Sequence, residues 1–363
     1  MTTHLFSGAQ IVPMAREKGM IALSFLVLCT LGLSLSASTE KSALTTFDPP
    51  GSIETIPNSI NRSGAITGYY FDGNIFHGFL RSRHGGFTTF DFPGATATVG
   101  ASLNLAGTIT GYYFEGNLVG HGFVRSHDGA LTSFDPVGSV ETEPASINAA
   151  GAITGSYTDA SGVSHGFLRD RDGAITSFDP PGSNGTFATG ISPSGEITGY
   201  YDEGPFFQHG FLRSGEGAYT TFDPPAALAT MPASINPAGE TIGSFYKIDL
   251  FEVHGFVRHH DGEITIFNGP GAVGTFPQNI NAAGVITGNY IGNSGQHGFV
   301  RDRDGELITF DPHGSTDTAP TSINAAGAIT GSYTDASGVS HGFLRSPDHH
   351  EHGQQRAEDE QQY

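Results

Sequence analysis

At 363 residues, with 52 glycines and 14% charged side chains, the chain is long enough for a large core and too regular to be low-complexity. Its 16 Lys+Arg against 36 Asp+Glu give a formal net charge of −20. With no basic stripe, that balance excludes nucleic acid and anionic membrane surfaces as partners, because their phosphates would be repelled.

The first segment reads as a signal peptide over residues 1–38. Arg16 and Lys18 precede an apolar run over 20–35, and Ser36, Ala37 and Ser38 supply small residues for cleavage. A start at Met14 would give a signal of ordinary length. The run is short for a spanning helix of about 20 residues, which argues against an uncleaved anchor. The single cysteine, Cys29, lies inside this run and follows Leu28, where a lipoprotein signal would have a small residue. The mature chain would then hold no disulfide and no thiolate. The expectation is a secreted protein, extracellular or periplasmic, free of the membrane once the signal is removed.

From about residue 44 to 345 one unit of about 44 residues recurs: F-D-P-P-G, then S-I-N-x-x-G-x-I-T-G-x-Y, then H-G-F-(L/V)-R, then a turn and T-T-F-D again. Its histidine falls at His77, His121, His165, His209, His254, His297 and His341. Such a period means stacked supersecondary units, each too small to bury a face alone. Each unit shows four short β signals, in the first at 56–61, 65–71, 76–82 and 87–91, rich in Ile, Thr, Tyr and Phe and bounded by Gly, Pro, Asn or Asp. Nothing between them suits a helix. The pattern predicts an all-β, seven-bladed β-propeller over 39–346 with four antiparallel strands per blade. The S-I-N strand would be innermost and T-T-F-D outermost. The seventh unit stops at Arg345 without T-T-F-D, and that strand stands instead at 44–48. Pairing the two would close the ring and remove an open sheet edge. Residues 146–169 and 322–345 are identical, which points to duplication of a unit. The polar tail, 347–363, reads as disordered, with His349, His350 and His352 solvated rather than metal-binding.

The H-G-F-(L/V)-R block, with I-N-x-x-G-x-I-T-G-x-Y before it and F-D-P-P-G after it, resembles the HAF repeat of bacterial extracellular proteins. Gly replaces the Ala of the family's His-Ala-Phe block in all seven copies. The resemblance implies an exported β-propeller and brings no catalytic residues with it.

Groups present in every unit are explained by folding. His77, Phe79 and Arg81 alternate onto one sheet face, with the Arg paired to Asp91 on the next strand, or the His bonded to a neighbouring turn. The glycines at Gly68, Gly111, Gly155, Gly199, Gly243, Gly288 and Gly331 mark a bulge or close approach. The turn at 159–162 lacks the run of oxygen ligands that calcium requires, so it reads as a hairpin. No H-E-x-x-H or C-x-x-C occurs, and no cofactor or metal is expected.

A specific site has to break the symmetry. The fourth unit has Ser192 where the others carry Asn, and its loop holds Asp202, Glu203, Phe206 and Phe207. The fifth has Tyr246, Lys247, Phe251 and Glu252 in its loop and Asn268 in place of Asp. These aromatics and charges are the expected ligand-binding residues, at the end where long loops gather. The reading is a monomeric binding or structural module for an extracellular glycan or protein. The alternative is an extracellular polysaccharide lyase or hydrolase using carboxylates of these two units as acid and base.

Overall fold

The computed structural model describes residues 43–116, 119–204, 207–247 and 252–347. The signal segment, the tail beyond Pro347, Phe206 and Phe251 lie outside the described residues. Among the described residues there are 28 strands and no helix. In the first unit they are β2 (Glu54–Ile60), β3 (Ile66–Phe71), β4 (Phe76–Arg81) and β5 (Phe87–Phe90), each antiparallel to the one before. These bounds fall within two residues of those read from the sequence. The same four-strand meander recurs through β28 (Ser340–Arg345), whose outer partner is β1 (Leu44–Phe47). They pair antiparallel, Leu44 opposite Arg345 and Phe47 opposite Gly342.

Local chemistry explains each joint. The turn between the first two strands needs a left-handed residue, and Gly64 supplies it at φ 84°. Just before it, the β2–β3 register slips between Pro57 and Ser59. There the backbones approach so closely that a Cβ on Gly68 would sit 2.1 Å from the Ile56 carbonyl oxygen. The bulge and the strand glycine are thus one feature.

The core is a stack of repeated aromatic layers. Phe79, Phe123, Phe167, Phe211, Phe256, Phe299 and Phe343 are fully buried at the third strand of their units. Each meets, edge to face, the outer-strand Phe of the unit before, as Phe90 meets Phe123 at 6.0 Å between centroids. The repeated Arg lies over that same ring. Arg81 stands 4.7 Å from the centre of Phe47, and Arg125 5.1 Å from Phe90. Pairing of Arg with the repeated Asp, one of the two sequence expectations, is therefore corrected. The guanidinium spans the seam between units, and the Asp goes to the histidine.

At the inner radius the units are tied by side-chain amides. Asn61 donates through Nδ2 to the Asn104 carbonyl at 3.0 Å, Asn104 to Asn148, and Asn148 to Ser192. The series resumes from Asn236 to Asn281, Asn281 to Asn324, and Asn324 to Asn61 at 3.1 Å. Each Asn oxygen also accepts amides of its own turn, as Asn148 does from Ala150 and Ala152. The last inner strand, β26 (Ser315–Ile323), meets β2 by two further bonds, Thr321 to the Pro57 carbonyl at 2.8 Å and Ile60 N to Ser322 Oγ.

Ser192 interrupts this series. Its hydroxyl accepts from Glu196 N, as the Asn oxygens do, but no amide remains to reach the fifth unit. Ser192→Asn should supply the missing donor and raise stability by about 1 kcal/mol, a typical net hydrogen bond. Chemical denaturation would check it. An unchanged or lower midpoint would show that the amide series does not hold the units together.

Candidate functional site

The repeated polar groups are largely occupied by the scaffold. Each repeated His begins the third strand of its unit and points Nδ1 at the Asp that ends the fourth. The contacts are 2.9 Å for His77–Asp91, 2.7 Å for His121–Asp135, 2.8 Å for His165–Asp179 and 2.7 Å for His209–Asp223. His297–Asp311 and His341–Asp48 repeat the pattern, and His254 meets Asn268 at 2.9 Å. The ring packs on the second strand's aromatic, as His77 does on Tyr70 at 4.9 Å. The Asp then reaches into the following unit. Thr142 donates to Asp135 and Thr186 to Asp179, both at 2.6 Å, and Thr230 to Asp223.

The other imidazole nitrogen, Nε2, faces a loop carboxylate. Asp72 lies 3.3 Å from His77, Asp159 3.5 Å from His165 and Asp335 3.6 Å from His341. Asp159 Oδ1 meanwhile caps its own hairpin, accepting from Ser161 N, Ser161 Oγ and Val163 N. Those bonds hold its carboxyl down at about 2. This hairpin matches the sequence reading. Among the described residues no three His, Cys, Asp or Glu side chains gather for one ion.

Partial burial pulls the His165 imidazole down, but Asp179 and then Asp159 together raise it above its ordinary value. His77, His209 and His341 are raised by the same balance between burial and two carboxylates. A raised imidazole contributes stability that is complete below the ordinary 6.5 and is lost as pH rises through the folded value. The melting temperature should therefore fall from pH 6 to pH 8, and less so in His165→Gln. A flat profile across that range would contradict the paired-carboxylate account.

The loops of the fourth and fifth units are neighbours. Strand β16 (Phe207–Arg213) lies beside β18 (Ala227–Ile235), with Gln208 level with Ala229, and Ala229 pairs with Tyr246 on β19 (Thr241–Lys247). Phe207 and Tyr246 keep 49% and 38% of their surface, so two aromatics stand open on adjoining loops. The charged residues are more committed. Glu203 sits 2.9 Å from His209 Nε2, Glu252 3.7 Å from His254 Nε2, and Asp202 accepts from Gln208 at 3.0 Å. Lys247 Nζ lies 6.0 Å over the Phe245 ring. Glu203 and Glu252 thus each face the histidine of their own unit.

A second feature lies among the inner strands. A cavity of 430 Å³ is lined by Asn58, Ala101, Ala145, Thr189, Gln278 and Thr321, which occupy one repeat position in six units, together with Tyr112, Glu143, Phe187 and Tyr200. Glu143 keeps accessible surface because it faces this space, yet protein encloses most of it. That enclosure, with the charge of Glu141, raises its carboxyl. Tyr200 is pushed up to about 12 by burial, then by Asp202 and Glu143. Tyr112 is raised by burial first and Glu143 second.

Sequence reasoning looked for broken symmetry in the loops and missed Glu143. The signal was present: after the repeated Thr the other units carry Ile56, Val99, Phe187, Met231, Phe276 and Ala319, and Glu143 is the one charge.

No family model matches the chain, and no curated protein does. Solved structures are similar. One is a catalytically inactive virginiamycin B lyase from Staphylococcus aureus with quinupristin, at TM-score 0.57 and 14% identity over 85% of this chain and 100% of that one. Another is the β-propeller domain of the Trilobed protease from Pyrococcus furiosus, at 0.56 and 8% over 81% and 95%. A prolyl endopeptidase aligns at 0.59 and 11% over 82% of this chain and 51% of its own. The fold is of the β-propeller type. At such identities the likeness extends to the fold alone.

Proposed function

We propose that this chain is an exported, monomeric HAF-repeat protein, a seven-bladed propeller closed by its N-terminal strand. It acts as a binding module for an extracellular glycan or protein. Closure is supported by the β1–β28 pairing and by the Asn324-to-Asn61 bond, which continues the amide series into the first unit. Export is supported by the basic, apolar and small-residue segments of 1–38.

The observation that carries the binding reading is the contrast between repeated and unrepeated side chains. The repeated His, Asp, Arg and Asn groups are engaged in contacts within and between units. Phe207 and Tyr246 fall outside the repeated motifs and are exposed, on strands β16 and β19 that flank β18. Flat aromatic area with a few orienting polar groups suits a sugar ring or an apolar side chain. Asp202, Glu203, Lys247 and Glu252 border it, and Phe206 and Phe251 belong to the same two loops.

The test replaces residues 202–208 and 246–253 by the loop 158–164 of the third unit, which the fold already accommodates. Binding to glycan-array or secreted-protein-array hits of the parent should fall at least tenfold, with the melting temperature held within a few degrees. Undiminished binding by the swapped protein would remove these loops from the site.

A further inference from the structure

The cavity among the inner strands holds a carboxylate that the protein leaves without a counter-charge. Glu143 makes no hydrogen bond or ion pair with any described residue, and no Lys or Arg lines the space. Its near neighbour in sequence, Glu141, has the same sign and adds to its cost. The aromatic wall is built: Phe187 stacks on Tyr200 with centroids 4.9 Å apart at 19°, and Tyr112 stands with them.

Much of the polar lining is already engaged. Asn58 donates to the Gly100 carbonyl at 3.0 Å, Thr189 to Pro232 at 3.0 Å and Thr321 to Pro57 at 2.8 Å. A neutral sugar would find these donors taken and would bring hydroxyls but no opposite charge to the carboxylate. An anion would be repelled. A cation gains twice, from the unpaired carboxylate and from the negative faces of the tyrosines.

We propose that this cavity binds a small organic cation, whose ammonium group pairs with Glu143 while its apolar body lies against Tyr112, Tyr200 and Phe187. The volume falls within the roughly 300–1,000 Å³ of small-molecule sites. This site is separate from the loop aromatics and stands without them.

Isothermal titration with benzyltrimethylammonium tests it, with benzyl alcohol and benzoate as neutral and anionic controls. The parent protein should bind one cation per chain, at least tenfold more tightly than either control. Glu143→Gln should weaken the cation at least tenfold. Glu143→Val is the second variant, because Val99 occupies the equivalent position in the second unit. Neither change should lower the melting temperature, since each removes a charge that has no partner among the described residues. The loop-swapped protein retains Glu143 and Tyr200 and should bind the cation as the parent does. That separates failure of this site from failure of the loop face. Absence of cation binding by the parent, equal binding of benzyl alcohol, or undiminished binding by both Glu143 variants would overturn the proposal.

Discussion

The side-chain amide at the end of each inner strand is the contact on which the arrangement depends. A four-stranded meander of some 40 residues cannot bury both faces by itself. It needs its neighbours, and the neighbours must be set at a fixed spacing and angle. Asn61, Asn104 and Asn148 do this at the narrowest radius, where each amide reaches the next unit's carbonyl while its oxygen holds its own turn. A buried amide left unpaired costs more than a bonded one gains, so each link also penalises a shifted neighbour. Farther out, the Arg stacked on the preceding Phe and the Asp shared between His and the following Thr fix the same seam. Hydrogen bonds at the inner edge thus set position, and aromatic burial supplies the larger driving force.

This division separates structure from recognition. Groups repeated in every unit have repeated partners. Groups outside the repeated set have room for something else: Phe207 and Tyr246 at the loop end, Glu143 in the cavity. The His–carboxylate contacts lie between these two classes. They recur, yet their Nε2 partners differ, Asp72 in one unit and Glu203 in another. A loop can therefore change its acid without changing the fold beneath it.

Much of the fold was legible in the chain. Runs rich in Ile, Thr, Tyr and Phe between Gly, Pro, Asn and Asp located the strands, and the displaced T-T-F strand indicated the pairing of residues 44–47 with 342–345. Partner choice within a face was not legible. His77, Phe79 and Arg81 share one face by alternation, but alternation does not say which of them meets Asp91. Sheet register decides it, placing His77 at the Asp end of the strand and Arg81 at the other, over the ring of the unit before. The repeated Asn was likewise visible only as a constant letter, because its partner lies about 44 residues away across a seam. Glu143 was read past because a single acidic residue in an acidic chain attracts no notice until its neighbours are known to be Tyr112 and Tyr200.

The central claim is that the units hold one another and that the strand at 44–47 completes the last of them. Deleting residues 39–50 and following thermal unfolding tests it most directly, alongside a second protein in which residues 43–50 are moved to follow a five-residue turn after Arg345. The account predicts that the deletion lowers the melting temperature markedly and promotes aggregation through the exposed edge of β28, and that the relocated strand restores the parent's value. A deletion protein that melts where the parent does would contradict it.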